Sequence, residues 1–418
     1  MDVKTEIITI GNELITGLQV DTNGPYLAQR LFSRGISVQR MISVGDGVEA
    51  IAGALKDSIK RADLVIITGG LGSTRDDITT EVATNILKKK LVFSPETLDH
   101  INKILVSYNV PMTEGQKKQA YFPEGAEIIP NPKGTAAGFL IKEGKTLMAF
   151  FPGVPRELKT MFEETIMPRL ENEWKRETYF QSRTLRLFGI SESKADDLLK
   201  DILENQKEIT LAFLPIFPET NVRITIQKKD NEEACARLAY WEKKIRERLE
   251  HHVFGTDDDT MEEVVGNLLR KARATIAVAE SCTGGLIGHR LTNIPGSSDY
   301  LERVVVVYSN QAKIDLLKVP EEVIRTHGAV SEITAKLMAE GIRNSAGTTL
   351  GLATTGIAGP AGGRPDKPVG TVFISLTDGK ETSTKEYHLP GDRQQIKWMT
   401  SAVALNQVRR YILTKKNS

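Results

Sequence analysis

The sequence has few of the residues that metal and disulfide chemistry most often needs. Its 418 residues include only two cysteines, Cys235 and Cys282, and six histidines. Two cysteines so far apart in the chain exclude a disulfide framework and a cysteine-based zinc site, and no HExxH motif occurs. We therefore expect chemistry that uses neither a His/Cys metal centre nor a Ser-His pair.

An excess of charge of one sign is also missing. The 55 lysines and arginines balance 54 aspartates and glutamates, and the formal net charge is +1. The chain as a whole therefore offers no basic surface to nucleic acid or to an anionic membrane. No apolar run approaches the ~20 residues that cross a bilayer, and the N-terminal residues MDVKTEIITIGNEL lack the layout of a signal peptide. We expect a cytoplasmic protein with no membrane or nucleic-acid partner.

The chain does have the length and the apolar content of a folded protein with two or three domains. Hydrophobic residues make up 40% of it, and this excludes disorder as the main state. β-Branched apolar runs alternate with amphipathic stretches at both ends of the chain, a pattern typical of βα units on a mainly parallel sheet. We predict an α/β protein in which two sheet domains, residues 1–172 and 258–418, flank a small α+β module, residues 173–257.

The central module has the pattern β-α-β-β-α and ends at an acidic turn, GTDDDT at residues 255–260. Three consecutive carboxylates repel one another, so we favour a solvated turn and helix cap over a metal site. The module also contains a basic helix, KKIRERLE. No GxxG clamp or interleaved aromatic residues accompany it, so we interpret it as a solvated face rather than an RNA site.

In the C-terminal domain, Ser281 joins a buried-strand pattern, ATIAVAE, to a glycine pair and a helix. Free amides at such a helix N-terminus could stabilise an oxyanion or hold a phosphate. Ser281 or Thr283 could equally be a simple helix cap. Two other strand patterns end in YSNQAK and in the glycine-rich TTGIAGPAGG, and ligands bind at the carboxyl ends of strands in open α/β sheets. Together these segments indicate a hydrolase site.

A serine needs a base to become a nucleophile, and no histidine lies at motif distance. A lysine can remove the proton when burial or its neighbours lower its pKa. Lys313 is our first candidate, with Tyr308 relaying or orienting the proton, and Lys367 is the second. Cys282 is a rival nucleophile, although we favour a packed thiol.

In the N-terminal domain, polar segments follow several strand patterns. TGGLGSTRDD places a glycine-rich turn and two adjacent carboxylates after a buried strand, and such a turn can face phosphate while the carboxylates bind a divalent cation. GNEL, DTN, NPKGT and PGVPRE add amides, hydroxyls and further carboxylates. Any one of them could be a cap or a turn, but five in one domain favour a site for a phosphate-containing ligand.

The segments AESCTGG, YSNQAK, GAVSE, TGIAGPAGG and RPDKPVGTV resemble the C-terminal domain of the competence-damage-inducible protein A (CinA) family. That domain is similar to bacterial nicotinamide mononucleotide amidohydrolases. The resemblance implies release of ammonia to give nicotinic acid mononucleotide without a cofactor, with Ser281 as nucleophile, Lys313 as base and Tyr308 as a supporting hydroxyl. The residues implied to line the nucleotide pocket are Thr283, Gly284, Gly285, Ser331, Glu332, Thr355, Gly356 and Gly359. Arg393 would meet the phosphate or contact a partner subunit of a homodimer.

The N-terminal segments also resemble the CinA family, whose first domain is similar to molybdopterin-binding proteins. The resemblance implies a metal-dependent pyrophosphatase that cleaves ADP-ribose to AMP and ribose 5-phosphate. Glu13, Asp76 and Asp77 are the implied metal ligands, and Mg²⁺ is the expected ion. The implied ligand cradle consists of Asn23, Gly69, Gly70, Gly72, Thr74, Asn131, Gly134, Thr135 and Glu157.

Our leading hypothesis is therefore a bifunctional enzyme of pyridine-nucleotide salvage. Two alternatives stay open. One is a molybdopterin-binding protein with a vestigial amidase domain. The other is a regulatory protein that senses nucleotides without turnover, in keeping with the family's link to competence and DNA damage.

Overall fold

The computed structural model describes residues 3–173, 179–205 and 208–416. The chain folds into two compact units, residues 1–181 with 227–236 and residues 182–226 with 237–418. Both are built from mixed helices and sheets, which confirms the α/β prediction. The three domain bounds stay predictions.

The first unit contains a six-stranded sheet in the order β2-β1-β3-β8-β7-β6 and a two-stranded ribbon of β4 and β5. The strands are β1 Thr5–Ile10, β2 Val38–Val44, β3 Leu64–Thr68, β4 Leu91–Phe93, β5 Tyr121–Pro123, β6 Glu127–Ile129, β7 Gly138–Glu143 and β8 Thr146–Phe151. The helices are α1 Asn12–Ile15, α2 Asn23–Phe32, α3 Val48–Arg61, α4 Thr79–Ile86, α5 Pro95–Ser107, α6 Glu114–Lys118, α7 Pro155–Met161 and α8 Met167–Glu173.

The centre of this sheet is parallel and buried on both faces. β1 pairs in parallel with β2 and β3, and β3 pairs in parallel with β8. Every residue of β1, β3 and β8 is buried, as expected for parallel strands covered by helices on two sides. The parallel strands therefore bring their carboxyl ends to one edge of the sheet.

A smaller sheet has the order β10-β11-β9-β12 and forms the predicted α+β module. Its strands are β9 Tyr179–Leu187, β10 Ile209–Ile216, β11 Glu219–Lys228 and β12 Val253–Thr256, and its helices are α9 Glu192–Asn205 and α10 Asn231–Leu249. The acidic segment is a turn, as predicted: Asp259 Oδ2 accepts from the Thr256 amide at 2.8 Å, and the Thr260 side chain caps the helix that follows. The sequence did not predict β12, which begins just before this turn.

The C-terminal sheet has the order β14-β13-β15-β16-β17. Its strands are β13 Ile276–Glu280, β14 Leu301–Val306, β15 Leu350–Gly356, β16 Thr371–Thr377 and β17 Thr382–His388. The helices are α11 Met261–Ala272, α12 Leu286–Thr292, α13 Asn310–Leu317, α14 Glu321–His327, α15 Glu332–Ala346 and α16 Arg393–Lys416. β17 was not predicted because its sequence, TSTKEYH, is polar; it pairs at the sheet edge with its residues exposed or half-buried.

β13 lies between two helical layers, and its side chains alternate between them. Ile276 and Val278 belong to the core with α11, α12 and α16, whereas Ala277 and Ala279 belong to the core with α13, α14 and α15. β13 is parallel to both of its neighbours, β14 and β15. The three carboxyl ends therefore lie together, as the strand-end argument requires.

No helix in the described part of the chain is both long and apolar enough to cross a bilayer.

Candidate active sites

Ser281 is the first residue after β13, and both neighbouring strands hold it in register. Its amide donates to the Thr354 carbonyl of β15 at 3.0 Å, and the amide of Val307, just after β14, donates to the Glu280 carbonyl at 2.8 Å. The Ser281 side chain is buried, with 7% of the residue exposed. The serine is thus fixed at the edge of the sheet where the three parallel strands end.

Lys313 contacts Ser281 directly. Its Nζ lies 3.1 Å from Ser281 Oγ and donates to the carbonyls of Val307 at 2.8 Å and Tyr308 at 3.2 Å. The Ser309 side chain starts α13 by accepting from the Ala312 amide, and this cap places Lys313 within the first helical turn. The predicted pairing of Ser281 with Lys313 is therefore present in the structure.

Burial shifts the protonation equilibrium of Lys313 toward the neutral amine. Only 1% of the residue is exposed, and burial lowers the pKa of Lys313 from 10.5 to about 8. No carboxylate contacts its Nζ in the described residues. A neutral amine can accept the Ser281 proton while its two N–H bonds still donate to backbone carbonyls, so Lys313 fits the role of a general base.

The two rival residues occupy different environments. Burial raises the pKa of the Cys282 thiol to about 12, and its side chain packs in the core beside α12. A thiol with so high a pKa is an inert packing group. Lys367 Nζ donates to the carbonyls of Val330 and His327 at 2.8 and 3.2 Å and so secures the loop before α15. Neither residue forms a hydrogen bond with Ser281.

The expectation of free amides at the helix after Ser281 is wrong for three residues. The buried Glu280 carboxylate accepts from the amides of Gly285, Ile287 and Gly288 at 2.9, 3.1 and 2.8 Å. A buried carboxylate needs such donors, and α12 supplies them from its first turn. Glu280 thus takes the position that an anionic ligand of this helix would occupy, and it ties the glycine loop to β13.

We expect Glu280→Ala to destabilise this unit, because it leaves the buried amides of Ile287 and Gly288 and the half-buried amide of Gly285 without an acceptor. Each unsatisfied buried donor costs about 1–3 kcal/mol, and each kcal/mol lowers the melting temperature of a unit of this size by roughly 2–4 °C. The melting temperature should therefore fall by roughly 4 °C or more. Calorimetry on the full chain measures this change. Glu302→Ala, which removes an exposed glutamate from β14, is the matched control and should leave the melting temperature within about 1 °C. Equal melting temperatures for the two variants would contradict this account of the carboxylate.

The other predicted pocket residues form hydrogen-bonded pairs around the strand ends. Thr283 Oγ1 and Thr354 Oγ1 lie 2.9 Å apart, and Thr355 Oγ1 donates to the Ala329 carbonyl at 2.8 Å. Ser331 caps α15 by accepting from the Thr334 amide, and Glu332 is exposed in the first turn of that helix. Ser331 therefore has a structural partner, while Glu332 faces solvent.

Tyr308 and Arg393 meet each other at the exposed side of the site. Arg393 donates to Tyr308 Oη at 3.1 Å and to the Gly359 carbonyl at 2.8 Å, and Tyr308 is 62% exposed. In the described structure the Tyr308 hydroxyl makes no hydrogen bond with Ser281 or Lys313; its backbone carbonyl accepts from Lys313 instead. Its proposed role as a supporting hydroxyl stays a prediction.

Sequence reasoning missed Lys397, one turn after Arg393 on α16. Its Nζ lies 3.7 Å from the position that a Cβ on Gly284 would occupy. Gly284 and Gly285 both have positive φ, so the loop after Ser281 passes close beneath this ammonium group without a side chain between them. The sequence signal was the spacing of Arg393 and Lys397, because residues four apart share one face of a helix.

The first unit contains a separate cavity of about 490 Å³ at the carboxyl ends of its parallel strands. It brings together eight of the predicted residues, namely Glu13, Gly69, Gly70, Gly72, Asp76, Asp77, Thr135 and Glu157. Glycine is required at two of these positions: a Cβ on Gly69 would lie 2.1 Å from the Ile10 carbonyl, and a Cβ on Gly70 would lie 2.1 Å from Thr79 Oγ1. The glycine-rich turn therefore forms a wall of the cavity.

The remaining four predicted residues support the lining rather than form it. Asn23 Nδ2 donates to the Gly153 carbonyl at 2.7 Å, and the Thr74 amide donates to Asp77 Oδ2 at 2.8 Å. Asn131 Nδ2 donates to Glu157 Oε2 at 2.7 Å. A Cβ on Gly134 would lie 2.3 Å from Glu157 Oε1, so this glycine leaves room for the carboxylate. Burial raises the pKa of Glu157, and the Asn131 hydrogen bond partly offsets the rise.

Five carboxylates line this cavity, and no lysine or arginine does. Besides Glu13, Asp76, Asp77 and Glu157, the fifth is Asp46, which sequence reasoning missed. Asp46 follows β2 by two residues, so the strand-end rule could have found it. Gln19 and Gln119 also line the cavity and carried no such signal. Within the described residues, no three acidic, histidine or cysteine side chains are grouped closely enough to hold a metal ion by themselves.

Comparison with known proteins matches three parts of the chain to family models. Residues 6–172 match a probable molybdopterin binding domain, residues 182–255 match the damage-inducible protein CinA KH domain, and residues 258–412 match the CinA C-terminal domain. These matches, on the α/β fold described above, define a protein with a molybdopterin-binding-like first domain and a CinA-type last domain.

Relatives over the full length narrow this class to one family. A CinA-like protein of Syntrophus aciditrophicus is 47% identical over 98% of both chains, and a putative competence-damage inducible protein of Clostridium novyi is 43% identical over 99% of both. The chain belongs to the CinA family. Among solved structures, competence/damage inducible protein CihA from Agrobacterium tumefaciens is 36% identical, with a TM-score of 0.35 over 38% of this chain and 94% of that one.

Proposed function

We propose that the C-terminal domain hydrolyses the amide of nicotinamide mononucleotide to nicotinic acid mononucleotide and ammonia. The 3.1 Å contact between Lys313 Nζ and Ser281 Oγ carries this proposal. It joins a buried nucleophile to an amine that burial has brought toward neutrality, which is the arrangement that a histidine-free acyl transfer needs. The substrate is the one that the resemblance of the motifs implies.

The reaction follows from the positions of these two groups. Lys313 Nζ takes the Ser281 proton while Oγ forms a bond to the amide carbon. The tetrahedral intermediate collapses by breaking the C–N bond, and Lys313 returns the proton to the leaving nitrogen, which departs as ammonia. Water then attacks the resulting ester with Lys313 again as base, releasing the carboxylate product and restoring Ser281.

Ammonia release from nicotinamide mononucleotide by the full-length wild type tests the proposal. We expect turnover at pH 8 without added metal, and none with nicotinic acid mononucleotide, which has no amide. Absence of turnover combined with tight binding of nicotinamide mononucleotide would overturn the amidase and favour the nucleotide sensor. Absence of both would favour the molybdopterin-binding alternative with a vestigial amidase domain.

We propose that the first unit cleaves ADP-ribose to AMP and ribose 5-phosphate with a divalent cation. The five carboxylates that line the 490 Å³ cavity, with no lysine or arginine among its lining residues, carry this second proposal. Five carboxylates repel a diphosphate, so the diphosphate can enter only together with cations that neutralise both its own charge and that of the carboxylates. The cavity is also of the size that small-molecule ligands occupy, roughly 300–1,000 Å³.

The oxygen donors of the cavity fit Mg²⁺ rather than a softer metal. Mg²⁺ is usually held by one or two carboxylates together with substrate phosphates and water, so a closed group of three protein ligands is not needed. Asp76, Asp77 and Glu13 are the residues that would hold it. The ion would supply Lewis-acid polarisation of the diphosphate. The backbone of Gly69 and Gly70 shapes the wall that the substrate faces.

We expect AMP formation from ADP-ribose to require added Mg²⁺ and to stop in excess chelator. Asp77→Asn retains an acceptor for the Thr74 amide but removes the charge, so it should raise the Mg²⁺ concentration for half-maximal rate by about 10-fold or more. Asp57→Asn, an exposed aspartate on α3, is the matched control and should not change it. Full activity in chelator, or an unchanged Mg²⁺ requirement in Asp77→Asn, would contradict the metal assignment.

A further inference from the structure

The second unit contains a cavity that neither proposed reaction uses. Its volume is about 680 Å³, larger than that of the acidic cavity and within the range of ligand sites. It lies between the loop that joins β9 to α9, the strands β16 and β17, and the helix α16. Neither Ser281 nor Lys313 lines it.

The walls of this cavity are apolar and partly aromatic. Phe188 comes from the β9–α9 loop, Leu376 and Tyr387 come from β16 and β17, and Met399 and Val403 come from α16. Phe188 and Leu376 are buried, and the other three are half-buried. Such walls favour a flat, apolar ligand body over a hydrated one.

The charged groups of this cavity are all cationic. Lys385 and Arg410 line it, and no aspartate or glutamate does. Neither cation pairs with a carboxylate in the described part of the chain. Tyr411 also lines the cavity, and its Oη donates to Asp378 Oδ2 at 2.5 Å. Asp378 in turn pairs with Lys415 at 3.6 Å, so its charge is balanced by a lysine that does not line the cavity.

One polar atom of a residue that lines the cavity has no hydrogen-bond partner in the described structure. Gln407 donates through Nε2 to the Ser383 carbonyl at 3.2 Å, while its buried Oε1 accepts no hydrogen bond in the described structure. Buried side-chain acceptors are normally satisfied. A ligand with an N–H or O–H donor would satisfy this one when the Gln407 side chain turns toward it.

We propose that this cavity binds a small aromatic anion, a body of one or two rings that carries a single carboxylate, sulfonate or phosphate group. The rings lie against the apolar walls, and the anionic group meets Lys385 and Arg410. Charge complementarity distinguishes this cavity from the acidic cavity of the first unit, which repels the same ligand. Two classes of natural molecule have the proposed chemistry: aromatic carboxylates and nucleoside monophosphates.

The test uses 8-anilinonaphthalene-1-sulfonate with the full-length protein and isothermal titration calorimetry. We expect one saturable site and at least tenfold weaker binding by N-phenyl-1-naphthylamine, which has the same rings without the sulfonate. Lys385→Gln combined with Arg410→Gln should weaken sulfonate binding at least tenfold, because both side chains are exposed and their loss leaves the core intact. Lys336→Gln, an exposed lysine on α15, is the matched control.

A second variant and two competitors complete the experiment. Val403→Trp fills the cavity and should abolish binding of both probes, with circular dichroism confirming the fold. Displacement by 2-naphthoate or by AMP identifies the carboxylate or the nucleotide as the natural class. The proposal is overturned if the double variant binds the sulfonate as tightly as wild type, if the neutral probe binds equally well, or if neither competitor displaces the probe at saturation.

Discussion

Ser281→Ala is expected to lower kcat/KM for ammonia release from nicotinamide mononucleotide by at least about 10³-fold. The variant removes the atom that forms the bond to the amide carbon and leaves the neighbouring backbone unchanged. The fall should appear mainly in kcat, because Oγ acts in bond formation. A coupled ammonia assay at pH 8 measures both constants.

Cys282→Ala is the matched control for this variant, because it removes the adjacent nucleophile instead. Burial and the high pKa of the thiol make Cys282 a packing group, so its loss should leave the rate within about threefold. A fall of similar size in both variants would mean that the loop is merely sensitive to change. A fall in the rate of Cys282→Ala alone would identify Cys282, and not Ser281, as the nucleophile.

Lys313→Ala should lower kcat/KM by about 10²–10⁴-fold, the usual contribution of a general base. Its effect should also depend on pH in a way that a structural role would not produce. The neutral amine is the active form, and with a pKa of about 8 its fraction falls tenfold for each pH unit below that value. Wild-type kcat/KM should therefore rise about tenfold per unit from pH 6 and level off above pH 8.

The control for Lys313 is Lys367→Ala, which removes the second candidate base. This variant removes the hydrogen bonds that secure the loop before α15, so its rate can fall. Its rate should nevertheless depend on pH as the wild-type rate does. Lys313→Arg should stay inactive, because a guanidinium is protonated throughout this range. A wild-type rate independent of pH between 6 and 8 would contradict the role of Lys313.

Strand order explains why the sequence predicted the Ser281–Lys313 pair. β13 lies between its parallel neighbours, so any residue just past β13, β14 or β15 is brought to one edge. The Ser309 cap then fixes where α13 begins and hence where Lys313 lies. The strand ends and the cap are local signals that a single sequence carries, whereas the strand order is known only from the structure. The same logic gathered eight predicted residues around the cavity of the first unit.

The role of Glu280 as the acceptor for the amides of α12 could not be predicted with the same argument. Glu280 comes at the end of an apolar strand, but a strand pattern does not say which donors a buried carboxylate finds. The donors are amides of α12, and they become available only when the glycine loop turns back over β13. β17 was missed for a related reason: an edge strand needs no apolar face, so TSTKEYH carries no strand signal.

Association between copies of the chain could not be judged from strand ends and helix caps. The homodimer and the cytoplasmic location stay predictions, because both depend on surfaces and surroundings outside a single chain. The role of Arg393 is tied to the first of these. Its bonds to Tyr308 and Gly359 occupy it within one chain and leave its exposed face for phosphate or for a partner subunit.

Covalent attachment of the substrate to Ser281 tests the central claim most directly. Wild-type protein mixed with one equivalent of nicotinamide mononucleotide is quenched in acid during the first turnover, digested, and mapped by mass spectrometry. We predict a transient ester on the peptide that contains Ser281, located to the serine by fragmentation, and its absence from Ser281→Ala. An adduct on Cys282, or a complete turnover in which ammonia appears and no acylated peptide forms, would contradict the Ser281–Lys313 mechanism.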